Sequence, residues 1–156
     1  MSLESVRAFF AENAPDIAVI ETKESTATVQ LAAEAHGVEP GRIAKTLSLR
    51  VGGRSFLVVA RGDARLDNQK TKAAFGGRPR MLGAEETLAL TGHQVGGVCP
   101  FGLATPLPVY CDISLRAFDT VFPAAGSRTS SVEVTPLRLF ELVGRAWVDV
   151  CRLPDG

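Results

Sequence analysis

The stretch Gly41-Arg42-Ile43-Ala44-Lys45-Thr46-Leu47-Ser48-Leu49-Arg50-Val51 reads as a β-strand. Side chains alternate faces along a strand. Ile43, Leu47, Leu49 and Val51 therefore share one face, and Arg42, Ala44, Thr46, Ser48 and Arg50 share the other. Lys45 falls on the apolar face. An unpaired ammonium is costly to bury, so Lys45 must be paired, reach solvent over its long stem, or stand at the edge of a cavity. If the charge is badly placed there, replacing Lys45 by alanine is expected to leave the melting temperature unchanged or raised.

Working outward, Gly52-Gly53 suits a tight hairpin turn. Ser55–Ala60 is the return strand, apolar on both faces and so expected at the centre of a sheet. Arg61–Arg65 reads as a loop. Upstream, Ser2 or Ser5 opens a helix carrying Leu3, Val6 and Phe10 on one face, and Asn13–Asp16 breaks it. Ile17–Glu21 is a short strand candidate. Thr26 or Thr28 caps a helix that ends at His36-Gly37. Downstream, Asp67 caps a helix to Phe75, Pro79–Leu82 is a short strand, and Ala84–Thr91 is a helix with Glu85 and Glu86 in its first turn.

Residues 95–102 form a loop with three glycines and a proline. Val109–Ile113, Thr120–Pro123 and Ser131–Val134 are strand candidates, and 124–130 is a small polar loop. Thr135 caps a helix starting at Pro136, and Ala146–Cys151 is a last strand. Seven or eight strands with four or five helices, joined by hairpins and crossovers, predict one mixed α/β (α+β) domain over residues 1–156. Its mixed sheet should be curved and barrel-like, with helices flanking it.

Composition narrows the class. The chain has 156 residues, 46% hydrophobic and 22% charged, as an ordinary globular domain does. No apolar run approaches the roughly 18 residues of a membrane span. Met1–Ser5 lacks the basic region and apolar core of a signal peptide, so a cytoplasmic location is expected. Cys99, Cys111 and Cys151 are odd in number and far apart, and read as free thiols. His36 and His93 form no close ligand pair with them, so no metal is expected.

Net charge is zero but uneven. Residues 41–80 hold ten basic and two acidic side chains, net +8, while residues 1–40 are net −5 and residues 81–156 net −3. A local basic zone in a neutral chain fits an anionic partner held at one place. No G-x-S-x-G, phosphate-binding loop or dinucleotide fingerprint occurs. Cys99 and His93 could form a dyad only if folding joins them. Without a nucleophile–base pair, chemistry here would rest on positioning and on the substrate's own groups.

Four ordered motifs carry a resemblance: Ile43-Ala44-Lys45-Thr46-Leu47, Gly62-Asp63-Ala64-Arg65-Leu66-Asp67 leading to Lys70, Gly96-Gly97-Val98-Cys99-Pro100-Phe101-Gly102, and Ser131-Val132-Glu133-Val134-Thr135-Pro136. Over about residues 15–150 they resemble the YbaK/EbsC family, the free-standing relatives of the bacterial prolyl-tRNA synthetase editing domain. The family's lysine matches Lys45, and its G-x-x-x-P loop matches Gly96 to Pro100. The resemblance implies a deacylase acting in trans on mischarged tRNA, above all tRNA for proline carrying a wrong small amino acid. Lys45 would be catalytic. Thr46, Gly96, Gly97, Val98, Cys99, Pro100, Phe101, Gly102 and Ser127 would contact substrate. The implied partners are aminoacyl-tRNA and prolyl-tRNA synthetase, with no cofactor, membrane or DNA.

Family members acting on alanyl-tRNA for proline tend to carry a histidine where this chain has Ala-Ala-Gly-Ser-Arg-Thr at 124–129. Cys99 stands where serine or threonine is common. The amino acid removed is therefore left open.

The physical logic agrees. A pocket discriminates a missing methylene by only about 1–3 kcal/mol, so a second hydrolytic site supplies what a synthetase cannot. Lys45 would supply charge at the acceptor end, and Gly96–Gly97 amides would hold the developing oxyanion. The ribose hydroxyl beside the ester would orient the water. Arg61, Arg65, Lys70, Lys72, Arg78 and Arg80 would meet tRNA phosphates. The alternative is a non-catalytic module that binds an aminoacyl or nucleotide group as a synthetase accessory.

Overall fold

The computed structural model describes residues 2–154, so Met1, Asp155 and Gly156 of the expected 1–156 domain lie outside the described residues. The elements in order are α1 (Ser2–Asn13), β1 (Ile20–Glu21), α2 (Val29–His36), β2 (Ile43–Val51), β3 (Arg54–Arg61), β4 (Arg65–Leu66), α3 (Asn68–Phe75), β5 (Arg80–Met81), α4 (Ala84–Thr91), β6 (Val109–Asp112), β7 (Phe122–Pro123), β8 (Ser130–Ser131), α5 (Pro136–Val143), β9 (Ala146–Val148) and β10 (Cys151–Arg152). Short 3-10 helices cover Pro40–Arg42 and Ile113–Ala117. None of the described helices is long and apolar enough to cross a membrane.

The main sheet is mixed and runs β5-β2-β3-β6-β9, with β7 added beside β2. β2 and β3 form an antiparallel hairpin in register from Ala44–Arg61 to Val51–Arg54. Its two-residue turn has Gly52 at φ 61°, a conformation that glycine adopts without steric cost. β6 runs parallel to β3, and β9 parallel to β6. The caps expected at Thr28, Asp67 and Thr135 form, each side chain accepting from an amide of the first turn. Thr26, the other cap candidate, is buried and instead donates to the Arg128 carbonyl.

β3 is central, and both of its faces are covered. Leu57 and Val59 pack with Ala44, Phe101, Val109 and Cys111 on one side. Phe56, Val58 and Ala60 pack with Leu49, Phe75 and Val150 on the other. Lys45 and Leu47 share the second face; Thr46 and Ser48 share the first.

Several expected strands come out shorter, and ten strands rather than seven or eight are formed among the described residues. Ile17–Glu21 pairs only at Ile20 and Glu21, against β8. Ser131–Val134 is interrupted: Ser131 pairs with Ile20, and Val134 makes an isolated bridge to Val121. Val109–Ile113 ends one residue early because the Asp112 side chain caps a 3-10 turn at Ser114. Ala146–Cys151 divides into β9 and β10 because the Val150 amide leaves the ladder and donates to the buried Asp112 carboxylate at 2.8 Å. β10 then pairs with β4, a strand that the sequence reading did not expect and whose Arg65 it placed in a loop.

His93 anchors the core side of the glycine-rich loop. It is fully buried; its Nδ1 bonds to the Ser2 hydroxyl and its Nε2 donates to the Phe101 carbonyl at 2.7 Å. Burial holds its pKa below the usual 6.5, and the same cause lowers His36. The unfolded chain therefore binds protons that the folded chain refuses. Stability contributed this way is full above pH 6.5 and is lost as pH falls through the folded-state values. The urea midpoint should drop between pH 7.5 and 5.5. His93→Gln, which can keep one donor and one acceptor, should flatten that drop; an unchanged slope would assign it to His36 alone.

Candidate functional site

β2 is bonded to β3 along its length, but on its other side only at its ends. There β7 pairs with Ile43 and Ala44, and β5 pairs with Leu49 and Arg50. A cavity of about 340 Å³ occupies the interval between them. Its wall takes Thr26, Thr28 and Val29 from the start of α2, and Ala44, Lys45, Thr46 and Ser48 from β2. Met81, Leu82 and Thr87 come from the β5–α4 region, Val95, Gly96 and Val98 from the glycine-rich loop, and Ala124 follows β7. Lys45 is the only ionisable side chain among these lining residues.

Lys45 reaches the cavity, but its ammonium is turned to the opposite face of the sheet. It donates to the Gly62 carbonyl at 3.2 Å and to the Ala64 carbonyl. Burial pushes its pKa below 10.5, opposed by Cys151 and Asp63. The paired alternative for this lysine is the one realised, with backbone carbonyls as partners. These bonds point to the opposite effect on stability from the one expected: Lys45→Ala or Lys45→Met takes, among the described residues, the only side-chain donor from two carbonyls. Lys45→Met keeps the stem and should still lower stability, by about 1–3 kcal/mol, read from urea unfolding. A midpoint at or above that of the parent chain would show that the buried charge costs more than its bonds return.

The glycine-rich loop divides into a front and a back. Gly96 and Val98 line the cavity. Among the described residues neither their amides nor that of Val95, which also lines the cavity, has a hydrogen-bond partner, so these are the loop donors open to a ligand. The Gly97 amide donates to the Gln94 carbonyl at 2.9 Å, which corrects the expectation that Gly97 offers its N–H to an oxyanion. Gly97 serves close approach instead: a Cβ there would lie 2.8 Å from the Ser127 nitrogen. Cys99, Pro100 and Phe101 are buried behind the loop, and Gly102 packs on the backbone of Ser5.

Folding does join Cys99 to His93, Sγ to Nε2 at 3.5 Å. Both are fully buried, that nitrogen serves Phe101, and burial pushes the thiol up to about 12. The pair is a core contact. Ser127 lies on a separate depression with Ser2, Leu88 and Gly97 and shares a hydrogen bond with Ser130 at 2.7 Å.

The basic candidates also divide. Arg61 is held bidentately by Asp63, at 2.6 and 2.9 Å, and lies over the Phe118 ring. Lys70 pairs with Asp149 at 3.1 Å and donates to the Cys151 carbonyl. Arg65, Lys72, Arg78 and Arg80 are exposed and, among the described residues, make no ion pair.

Sequence reading missed Thr28, Val29, Ser48, Met81, Thr87 and Ala124 as cavity wall. The first had a signal as a helix cap, and Ser48 one through its shared face with Thr46. Thr87 had none, because only folding brings its hydroxyl 3.3 Å from that of Ser48.

Comparison with known proteins places the chain in a family and matches its overall fold. Residues 23–142 match the family described as the aminoacyl-tRNA editing domain. The chain is 51% identical over 154 residues to the uncharacterized protein YwhH of Bacillus subtilis (strain 168), covering 97% of this chain and 98% of that one. It is 30% identical over 130 residues to a protein of Enterococcus faecalis named "Putative Cys-tRNA(Pro)/Cys-tRNA(Cys) deacylase EbsC", covering 81% and 79%. A crystal structure of "a putative trans-editing enzyme for prolyl tRNA synthetase" superposes with a TM-score of 0.89 at 34% identity, covering 97% of each chain. On this evidence the chain belongs to the aminoacyl-tRNA editing domain family.

Proposed function

We propose that this protein hydrolyses the ester of mischarged aminoacyl-tRNA in trans, with tRNA for proline carrying a wrong small amino acid as the first candidate substrate. The observation that carries the reading is the cavity at the interrupted edge of β2. It is small, its walls are mostly apolar or hydroxyl-bearing, and it combines a lysine at one end with unpartnered loop amides. That suits a small side chain joined to an ester whose carbonyl oxygen gains charge during hydrolysis. Relatives named for tRNA(Pro) and for prolyl-tRNA synthetase support the choice of tRNA and make that synthetase the proposed partner. The site of action would be the cytoplasm, where tRNA is charged.

The lining offers no carboxylate or imidazole as a general base. The ribose hydroxyl vicinal to the ester would orient the attacking water, while amides of Gly96 and Val98 hold the oxyanion. Lys45 would fix the 62–64 loop and lend its charge to the acceptor end. A panel of alanyl-, cysteinyl- and seryl-tRNA for proline tests the reading directly. The best substrate should lose most of its turnover, but little of its binding, when the vicinal hydroxyl is replaced by hydrogen. Binding without hydrolysis across the panel would instead favour a synthetase accessory module.

Because Arg61 and Lys70 are already paired, Arg65, Lys72, Arg78 and Arg80 are the charges we propose for the tRNA face. Each should flatten the log–log salt dependence of tRNA affinity by roughly one unit when replaced by glutamine, if it meets a phosphate. Neutralising Arg61 or Lys70 should change that slope much less, because each is already paired with a carboxylate. A slope indifferent to all four exposed residues would place the tRNA on another face.

A further inference from the structure

The open interval of β2 has a defined set of unused main-chain groups. In an antiparallel pair, residues alternate between facing the partner strand and facing away from it. Leu57 donates its amide to the Pro108 carbonyl, and Arg61 donates its amide to the Ser114 hydroxyl. Both point away from β2, so Ser48–Leu57 and Ala44–Arg61 are non-hydrogen-bonded pairs in the register. Thr46–Val59 lies midway between them and is of the same kind.

The N–H and C=O of Thr46 therefore face the cavity side of β2. The Ser48 carbonyl, of the same parity, confirms the direction by accepting from the Leu82 amide at 3.0 Å. The β7 ladder stops at Ala44 and the β5 ladder at Leu49. Among the described residues, no partner reaches Thr46.

The side chain of the same residue gives an independent sign. Thr46 Oγ1 is a buried side-chain polar atom with no hydrogen-bond partner among the described residues. Such an atom is costly to leave unmade, and here it lies in the wall of a cavity rather than in sealed core. One residue thus has an unpartnered hydroxyl, covered in the unliganded structure, and an unpartnered carbonyl beside the same space. The lining contains no carboxylate, and the Lys45 ammonium is already committed to Gly62 and Ala64. A cationic ligand group in this cavity has to be taken by neutral acceptors, and Thr46 supplies two.

We propose that Thr46 recognises the free α-ammonium of the aminoacyl group, accepting one N–H at its main-chain carbonyl and another at Oγ1. The inference rests on the deacylase reading and deepens it. The amino acid would sit against β2 as a one-residue strand, a minimal form of strand addition at a sheet edge. The ester carbonyl would point across the cavity to the Gly96 and Val98 amides. Specificity would then extend beyond side-chain size: the site would favour esters of α-amino acids over esters of the matching α-hydroxy acids.

Alanyl-tRNA and lactyl-tRNA for proline differ only in ammonium against hydroxyl. The second is made from the first by nitrous acid deamination. If the panel shows cysteine preferred, cysteinyl-tRNA and its 2-hydroxy counterpart take their place. Each enzymatic rate is divided by the spontaneous hydrolysis of the same ester in buffer, which removes the difference in intrinsic reactivity. The parent enzyme should prefer the amino ester by about tenfold or more in normalised kcat/KM. Thr46→Val, similar in volume, should cut that preference severalfold by lowering the amino-ester rate more than the hydroxy-ester rate, and Thr46→Ser should restore it. A merely structural role for Thr46 would lower both rates together.

Equal normalised rates on the two esters in the parent enzyme would overturn the inference and leave the deacylase reading standing. A preference untouched by Thr46→Val would overturn it as well, by moving ammonium recognition off this residue. Failure to hydrolyse any aminoacyl-tRNA in the panel would remove the deacylase reading, and this inference with it.

Discussion

The pairing of β2 is the constraint on which the site depends. Eight register pairs tie it to β3 on one side, while on the other it meets β7 at Ile43 and Ala44 and β5 at Leu49 and Arg50. Backbone polar groups left open inside a protein must find partners in water or in a ligand. A strand held rigidly along one edge and left open for a few residues on the other thus presents unused main-chain groups in fixed positions, here those of Thr46. The cavity is the space beside them, and α2, α4 and the glycine-rich loop are its remaining walls.

The two faces of β2 serve different ends. Ala44, Thr46 and Ser48 belong to the face that meets the cavity and the larger core. Lys45, Leu47, Leu49 and Val51 belong to the face that meets Phe56, Phe75 and Val150. Lys45 is therefore beside the site without being directed into it. Its charge satisfies the Gly62 and Ala64 carbonyls, and those bonds hold a loop whose Arg61–Asp63 pair is itself closed. A lysine so placed shapes the positive end of the site through a loop as well as through its own field.

Much of this was legible in the sequence where the signal is local. The alternation in 43–51, the Gly52-Gly53 turn, the apolar run of β3 and the caps at Thr28, Asp67 and Thr135 all specify elements through neighbours a few residues away. The odd position of Lys45 was visible for the same reason. What was not legible depends on partners distant in the chain. The division of 146–151 needs the Asp112 carboxylate, 38 residues away from Val150. The commitment of the Gly97 amide needs the turn at Gln94, and the burial of Cys99 needs α1 and His93. A glycine-rich loop advertises free amides, but only its folded course decides which of them remain free.

Those details bear on how hydrolysis could proceed at all. Both histidines have structural employment: His36 stacks on Phe122 and bonds Ser131, and His93 joins Ser2 to Phe101. Burial disfavours the charged form of each. The acidic residues paired near Lys45 and at the surface do not line the cavity. On the proposed reading, a site whose lining holds Lys45 as its one titratable group would owe little of its rate to proton transfer by a side chain. It can draw it from geometry, because holding an ester, a water and a neighbouring hydroxyl in one arrangement replaces encounters with contact. Neutral hydrogen-bonding groups on a rigid strand edge suit that task, since they fix a substrate without competing for its protons.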